Sequence, residues 1–409
     1  MTEVFNYGKE LISLTIPAGY VTLENREPEL TVSKRQFLQE LLSVLPDVRD
    51  RYLNVGIVVS DKTRLCGYPK YLPWVIEALK KKGTHKTNIT FYIAYGTHAS
   101  QNDEESINSY GEEVFTNYPF VHHNCNAEHA FCNLGLTKRG TEVNLLKEIT
   151  DCSLLLTFGA ISYHYFAGYG GGRKLLFPGL ASYESIYHNH SLFLDRENEI
   201  LHTKCQPGIL QGNPVAEDLK EIDHLMPPKV SIHALLNSKG VVCKLLVGDH
   251  YKDFENACNE HDKYYKSGID KQYDMVVASC GGYPKDINFI QAHKALHYAS
   301  AFVKDGGKLI LLAECIDSIG SETFLKYLEP GSFEKAFAML KDNYEGNGGT
   351  ALSLISKTGR IKIYLYTSLD EHYCRLLRVR KISENDIFSI LGSHKGSIAV
   401  IKNASMLVK

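Results

Sequence analysis

The sequence predicts an α/β protein: two α/β domains with mainly parallel sheets, and an active site in the cleft between them. Three observations carry that expectation. Short β-branched runs alternate with amphipathic helical stretches, the grammar of strand–helix–strand units with right-handed crossovers. The chain has 409 residues, more than one hydrophobic core usually serves. The alternation halts in a polar, charge-rich seam between Val247 and Tyr273 and then restarts. The expected division is an N-terminal domain over 1–265 and a C-terminal domain over 270–409.

Residues 54–60 (NVGIVVS) read as a buried strand, too short for a helix and rich in β-branched side chains. A helix is expected over about 71–82, with Leu72, Val75, Ile76 and Leu79 at helical spacing. Lys80, Lys81 and Lys82 suit the negative end of its dipole, and Gly83 can close it. A second strand follows at 88–95 (NITFYIAY), and Ser100 with Asp103 reads as a capping box opening the next helix. The third strand, 152–158 (CSLLLTF), leads into a Gly-rich turn. After the seam come a strand at 273–279, the turn CGGYP, a helix over 287–303 and a strand at 308–313. Further strands are expected near 360–367 and 397–402, with Pro227, Pro228 and the GNGG stretch at 346–349 as punctuation.

Composition narrows the function. Hydrophobic residues make up 44% and charged residues 22%, close to the soluble globular average. With 45 Lys+Arg against 47 Asp+Glu, the net charge of −2 gives no overall pull toward nucleic acid or an acidic membrane, so a small molecule is the expected partner. No window approaches the roughly 18 uninterrupted apolar residues of a membrane helix. The N-terminus is acidic where a secretory signal would be basic. The 10 cysteines form no C-x-x-C pair, which disfavours a disulfide scaffold or zinc ribbon and fits idle thiols in a reducing cytoplasm. These features describe a soluble cytoplasmic enzyme.

In parallel sheets ligands bind beyond the carboxyl ends of the strands. Asp61 and Arg64 follow the first expected strand, His98 the second and His164 the third. Arg64 can hold a carboxylate with two parallel hydrogen bonds, or pair with a neighbouring Asp. His98 can act as acid or base near neutrality, or be structural. Gly168, Gly170, Gly171 and Gly172 run into Arg173 and Lys174, where exposed backbone amides and a lysine suit a phosphate; Walker-loop spacing is missing. His188 and His190 form an H-N-H triplet; imidazole is the commonest metal ligand, although such a pair is more often surface or helix-cap histidine. Gln291 and Lys294 share a helix face, either solvated or turned into a cleft. No serine-hydrolase elbow, zinc-peptidase motif or dinucleotide fingerprint is present.

Taken in order, the motifs DKTR, YGTH, HYFAGYGGGRK, SYESIYHNH and GGYPKDINFIQAHK resemble the nickel-dependent lactate racemase family, the nickel-pincer 2-hydroxyacid racemases and epimerases. The likeness runs from about residue 61 to 294. It implies an isomerase that inverts C2 of a 2-hydroxy acid by hydride transfer to and from nickel held in pyridinium-3,5-bisthiocarboxylic acid mononucleotide, the nickel-pincer nucleotide, in the N-terminal domain. It implies His190 as the nickel ligand, Lys174 as the covalent anchor of the cofactor, and Gly170, Gly171 and Gly172 against it. His98 and His164 become the acid–base pair, and Asp61, Arg64, Gln291 and Lys294 contact the substrate. Cofactor-synthesis enzymes are the implied loading partners.

Two departures stand out. Ile290 occupies the place of a tyrosine in the lactate enzymes, and the sole tryptophan, Trp74, lies in the first half where they carry one in the second. Both favour a substrate other than lactate, such as a sugar acid, a hydroxy diacid or a branched hydroxy acid. The competing readings are a zinc-dependent hydrolase using His188 and His190, and a non-catalytic binder of a nucleotide-like ligand.

Overall fold

The computed structural model describes residues 1–46 and 54–409. The chain forms two compact units. One comprises Glu27–Phe193 and Thr203–Tyr264, the other Met1–Arg26, Leu194–His202 and Tyr265–Lys409. Each is built on a six-stranded sheet, as the alternating pattern predicts.

In the first unit the strands lie in the order Val242–Gly248, Lys229–Leu236, Leu154–Ala160, Val55–Ser60, Ile89–Ala94 and Phe120–His122. All neighbours are parallel except the edge strand Val242–Gly248. Every residue of Val55–Ser60 is buried, which explains the continuous apolar run, since a strand covered on both faces has no polar side to show. The helix Tyr68–Lys81 begins three residues before the expected start. Gly67, at φ +70°, turns the chain, and a proline sits in the first turn, where it costs no hydrogen bond. The next helix, Asp103–Tyr110, is capped by Asn102 and Glu105 in place of Ser100 and Asp103. The Asn102 side chain accepts from Glu105 N and the Glu105 carboxylate accepts from Asn102 N, both at 2.9 Å.

The second unit's sheet is wholly parallel, in the order Arg380–Lys381, Lys362–Tyr366, Val303–Leu312, Tyr273–Ser279, Ile398–Ile401 and Val21–Thr22. The first 26 residues therefore belong with this unit, whereas the expected division put them with the first half. Val21 and Thr22 pair with Ala399 and Val400, and Phe5, Leu14 and Ile16 sit in one core cluster with Met275, Val277 and Ile310. The expected seam at 247–273 holds a 15-residue helix, Tyr251–Tyr265. Phe254, Ala257, Cys258, His261 and Tyr265 are its buried stripe, and none of its Asp, Glu or Lys side chains is fully buried. The GNGG stretch opens the helix Gly348–Arg360, where a Cβ on Gly348 would stand 2.5 Å from Leu340. All ten cysteines are free thiols, and among the described residues no helix is long and apolar enough to cross a membrane.

Candidate active site

Three adjacent parallel strands of the first unit, Leu154–Ala160, Val55–Ser60 and Ile89–Ala94, end side by side. Tyr68 fastens two of those ends: its hydroxyl accepts from Ser60 N at 2.8 Å and donates to Phe158 O at 2.7 Å. The chain leaving Val55–Ser60 turns at once into Asp61, which is 3% exposed. Thr63 N and Thr63 Oγ1 both donate to Asp61 Oδ1 at 2.6 Å, an Asx-type turn. The other carboxylate oxygen accepts from His98 Nδ1 at 2.7 Å. Burial pushes the Asp61 carboxyl upward, but the bonds from His98 and Thr63 outweigh it and leave the acid below its ordinary range. Asp61 is thus ionised, and in the neutral form of the half-exposed His98 ring the proton sits on Nδ1, against Asp61, and the lone pair on Nε2. Gln101 braces the arrangement: its side chain accepts from Lys62 N at 2.9 Å and donates to Ser106 Oγ.

His164 lies on a hairpin, Ser162–His164 against Gly168–Gly170. Tyr163 and Tyr169 both donate to Asp262 Oδ1, at 2.9 and 2.7 Å, and so fasten the hairpin to the helix Tyr251–Tyr265. His164 Nδ1 accepts from Phe166 N and Ala167 N, at 3.3 and 3.1 Å. That nitrogen is unprotonated, so the proton sits on Nε2. In their neutral forms the two candidate acid–base histidines are therefore opposite tautomers, with the lone pair at Nε2 in His98 and the proton there in His164.

The glycines have a steric reason. Gly171 has φ +73°, and a Cβ there would lie 2.1 Å from Ala160 O; one on Gly168, at φ +74°, would lie 2.3 Å from Ile209 O. Only glycine lets this loop close onto the strand end, and it delivers Arg173 and Lys174 in the short 3₁₀ turn Gly172–Leu175. Burial, then the charges of Arg173 and Arg64, push the Lys174 ammonium down to about 7. At pH 7 about half of Lys174 is then neutral, against roughly one in 10³ for an ordinary lysine. Trace acylation of the cofactor-free protein at pH 7.5 is accordingly expected to label Lys174 at least ~10-fold faster than the median lysine, fading as pH falls below 7. Labelling no faster than the median would contradict this environment.

His190 sits in the helix Tyr183–Ser191, capped by Ser182. Its Nδ1 donates to Ile186 O at 2.7 Å, which leaves the lone pair on Nε2. Burial, then the charge of Lys174, push this imidazole down to about 4, so it is neutral at physiological pH. A neutral ring with Nδ1–H fixed on a carbonyl is the state a metal requires. His188 is occupied elsewhere: its Nδ1 lies 2.9 Å from Thr141 Oγ1, which donates to the buried Asp218. The H-N-H pair thus does not form one site, because residues two apart on a helix diverge. Among the described residues no three His, Cys, Asp or Glu side chains are grouped to hold a metal. His190 offers one donor, which fits a metal that arrives with its remaining donors attached, as in a pincer nucleotide.

Gln291 and Lys294 lie on the helix Phe289–Ser300 of the second unit, and Lys294 Nζ donates to Gln291 Oε1 at 2.7 Å, so the shared face is real. Trp74 packs at the first unit's core, with Tyr71 at 5.0 Å and Phe37 at 6.2 Å between ring centroids, and serves structure. Sequence reasoning missed Thr63, Gln101 and Asp262. The D-x-T spacing of an Asx turn signalled the first, and no local pattern marks the others.

The family description "Lactate racemase N-terminal domain" matches residues 7–201, and "Lactate racemase C-terminal domain" matches 269–344. The chain is 27% identical over 333 residues to a lactate racemase of Thermoanaerobacterium thermosaccharolyticum, covering 79% of this chain and 76% of that protein. It is 29% identical over 285 residues to a lactate racemase of Lactiplantibacillus plantarum, covering 69% of this chain and 65% of that one. The lactate racemase apoprotein structure from T. thermosaccharolyticum superposes with a TM-score of 0.88 at 23% identity, over 100% of this chain and 99% of that one. A Thermotoga maritima protein follows at 0.70 and 15%, over 94% and 99%. At these identities the structural likeness speaks for the fold.

Proposed function

The chain belongs to the lactate racemase family and is an isomerase, and from that premise we propose that it inverts C2 of a 2-hydroxy acid other than lactate by nickel-pincer chemistry. The observation that carries the reading is His190, its Nδ1 proton held by Ile186 O and its Nε2 left to accept, near Lys174, whose ammonium burial pushes down. His190 would hold nickel, and Lys174 would anchor the nucleotide. The bound cofactor supplies a reversible acceptor for the C2 hydride.

The remaining work falls to the protein. His98 Nε2 takes the hydroxyl proton, and the imidazolium that results is stabilised by Asp61, whose carboxylate already holds Nδ1–H. Loss of hydride leaves a planar 2-keto acid that can turn its other face. Cationic Arg64 would keep its carboxylate bound meanwhile. His164 returns a proton from Nε2. To do so without becoming an imidazolate it must first be protonated at Nδ1, which releases the amides of Phe166 and Ala167. One neutral and one protonated histidine give kcat/KM a bell-shaped pH profile.

The hydrolase reading lacks a second ligand beside His190, because residues two apart on the helix Tyr183–Ser191 diverge and among the described residues no three His, Cys, Asp or Glu side chains are grouped to hold a metal. The binder reading leaves the Asp61–His98 pair unused. Ile290, and Trp74 as the sole tryptophan, support a side chain larger or more polar than methyl. Protein co-produced with the cofactor-synthesis enzymes is expected to carry near-stoichiometric nickel and an added mass on Lys174. Against pure enantiomers it is expected to favour a sugar acid, hydroxy diacid or branched acid over lactate by at least ~10-fold in kcat/KM. Interconversion of lactate alone would overturn the substrate assignment; zinc, or no metal, would overturn the chemistry.

A further inference from the structure

Behind the Gly-rich loop lies a small cavity that the proposed chemistry does not use. Arg173, 3% exposed, reaches into it. Its Nη2 donates to Ala167 O at 3.2 Å and its guanidinium lies 4.4 Å from the Phe254 ring centroid, but Nε and Nη1 are buried without a partner. Opposite stands His233, 1% exposed, with both ring nitrogens buried and unpartnered. Ser231 lines the same cavity; it accepts from Thr157 Oγ1 at 3.0 Å, so its own hydroxyl proton remains to be given.

A buried charge is strongly disfavoured unless it is paired. Among the described residues Arg173 has no carboxylate partner. Of the acids lining the cavity, Asp223 is spent on Lys229 at 2.9 Å, and Asp249 is half-exposed beside His250 at the rim. The ring over Phe254 compensates only part of a guanidinium's lost hydration. Arg173 Nε–H and Nη1–H and one N–H of His233 are buried donors without an acceptor, and the Ser231 hydroxyl beside them has its proton to give. The space is about 10 Å³, room for one water-sized particle and for no organic ligand.

We propose that this cavity binds one small monatomic anion, of chloride size, between Arg173, His233 and Ser231. The anion supplies the missing counter-charge, which a water molecule cannot. Through Arg173 it ties together the loop that carries Lys174, the Ala167 carbonyl of the His164 hairpin and the strand Lys229–Leu236. The site is separate from the nickel and substrate roles, and its test does not depend on them.

Crystals of the wild-type protein grown in bromide without chloride provide the first test. One anomalous peak within hydrogen-bonding distance of Arg173 and His233 is expected. A water-like feature without anomalous signal, or peaks at surface lysines only, would overturn the proposal. In solution, thermal unfolding is compared in chloride and in gluconate, an anion too large for the cavity, at equal ionic strength. Saturating chloride is expected to raise Tm by roughly 5 °C over gluconate, and Arg173→Met to abolish the difference. His233→Phe serves as the second variant should Arg173→Met fail to fold. Equal Tm in both salts for the wild-type protein would overturn the site.

Discussion

Replacing His98 by Gln is expected to lower kcat of the nickel-loaded enzyme by about 10²–10⁴-fold, the usual loss when a general base is removed. The amide can still donate to Asp61, so the loop and the nickel content should survive. What disappears is the basic Nε2, which the Asp61 carboxylate orients by its bond to Nδ1. His164→Gln is expected to cost a similar factor, since its carbonyl can still accept from the amides of Phe166 and Ala167 but no acid remains. The double variant should lose little more than either single one, because the two groups serve one proton cycle. Chiral chromatography of timed reactions measures all three. A kcat within ~3-fold of wild type for either single variant would remove that histidine from the chemistry.

The second large effect concerns nickel. His190→Ala is expected to leave protein that retains less than about one hundredth of the wild-type nickel affinity, because even partners behind a ligand cost 10–100-fold when removed. His188→Ala is the matched control two residues away. Its ring is engaged by Thr141, which in turn donates to Asp218, so nickel binding should fall by less than ~10-fold, and stability should absorb the change. Equal nickel loss in both variants, read by elemental analysis after gel filtration, would mean that the whole helix Tyr183–Ser191 and not one ring is being reported.

The contrast between these two histidines shows where sequence reading stops. Both were visible as an H-N-H triplet, yet only tertiary partners divide them. Buried parallel strands were legible because burial on both faces writes a continuous apolar run: residues 273–279 were read from end to end as Tyr273–Ser279. Helix ends were less so. Three acids in a row at 103–105 obscured the true cap, Asn102 with Glu105. The polar stretch at 247–273 hid a helix because its buried stripe is thin. The pairing of Val21–Thr22 with Ile398–Ile401 joins the two ends of the chain and leaves no local trace. In the site, the rule that ligands gather beyond strand ends picked out Asp61, His98 and His164. The bond between Asp61 and His98, and the amides that hold His164, belong to the folded chain alone.

The central claim is that C2 is inverted by moving a hydride rather than a proton. It is tested most directly by running the loaded enzyme on its best enantiopure hydroxy acid in D₂O and weighing the inverted product. Retention of protium at C2 is the predicted result, because the hydride leaves and returns without exchanging with solvent. Deuterium at C2 in step with inversion would contradict the account, since it would mean that a base removes the C2 proton and nickel has no part in the inversion.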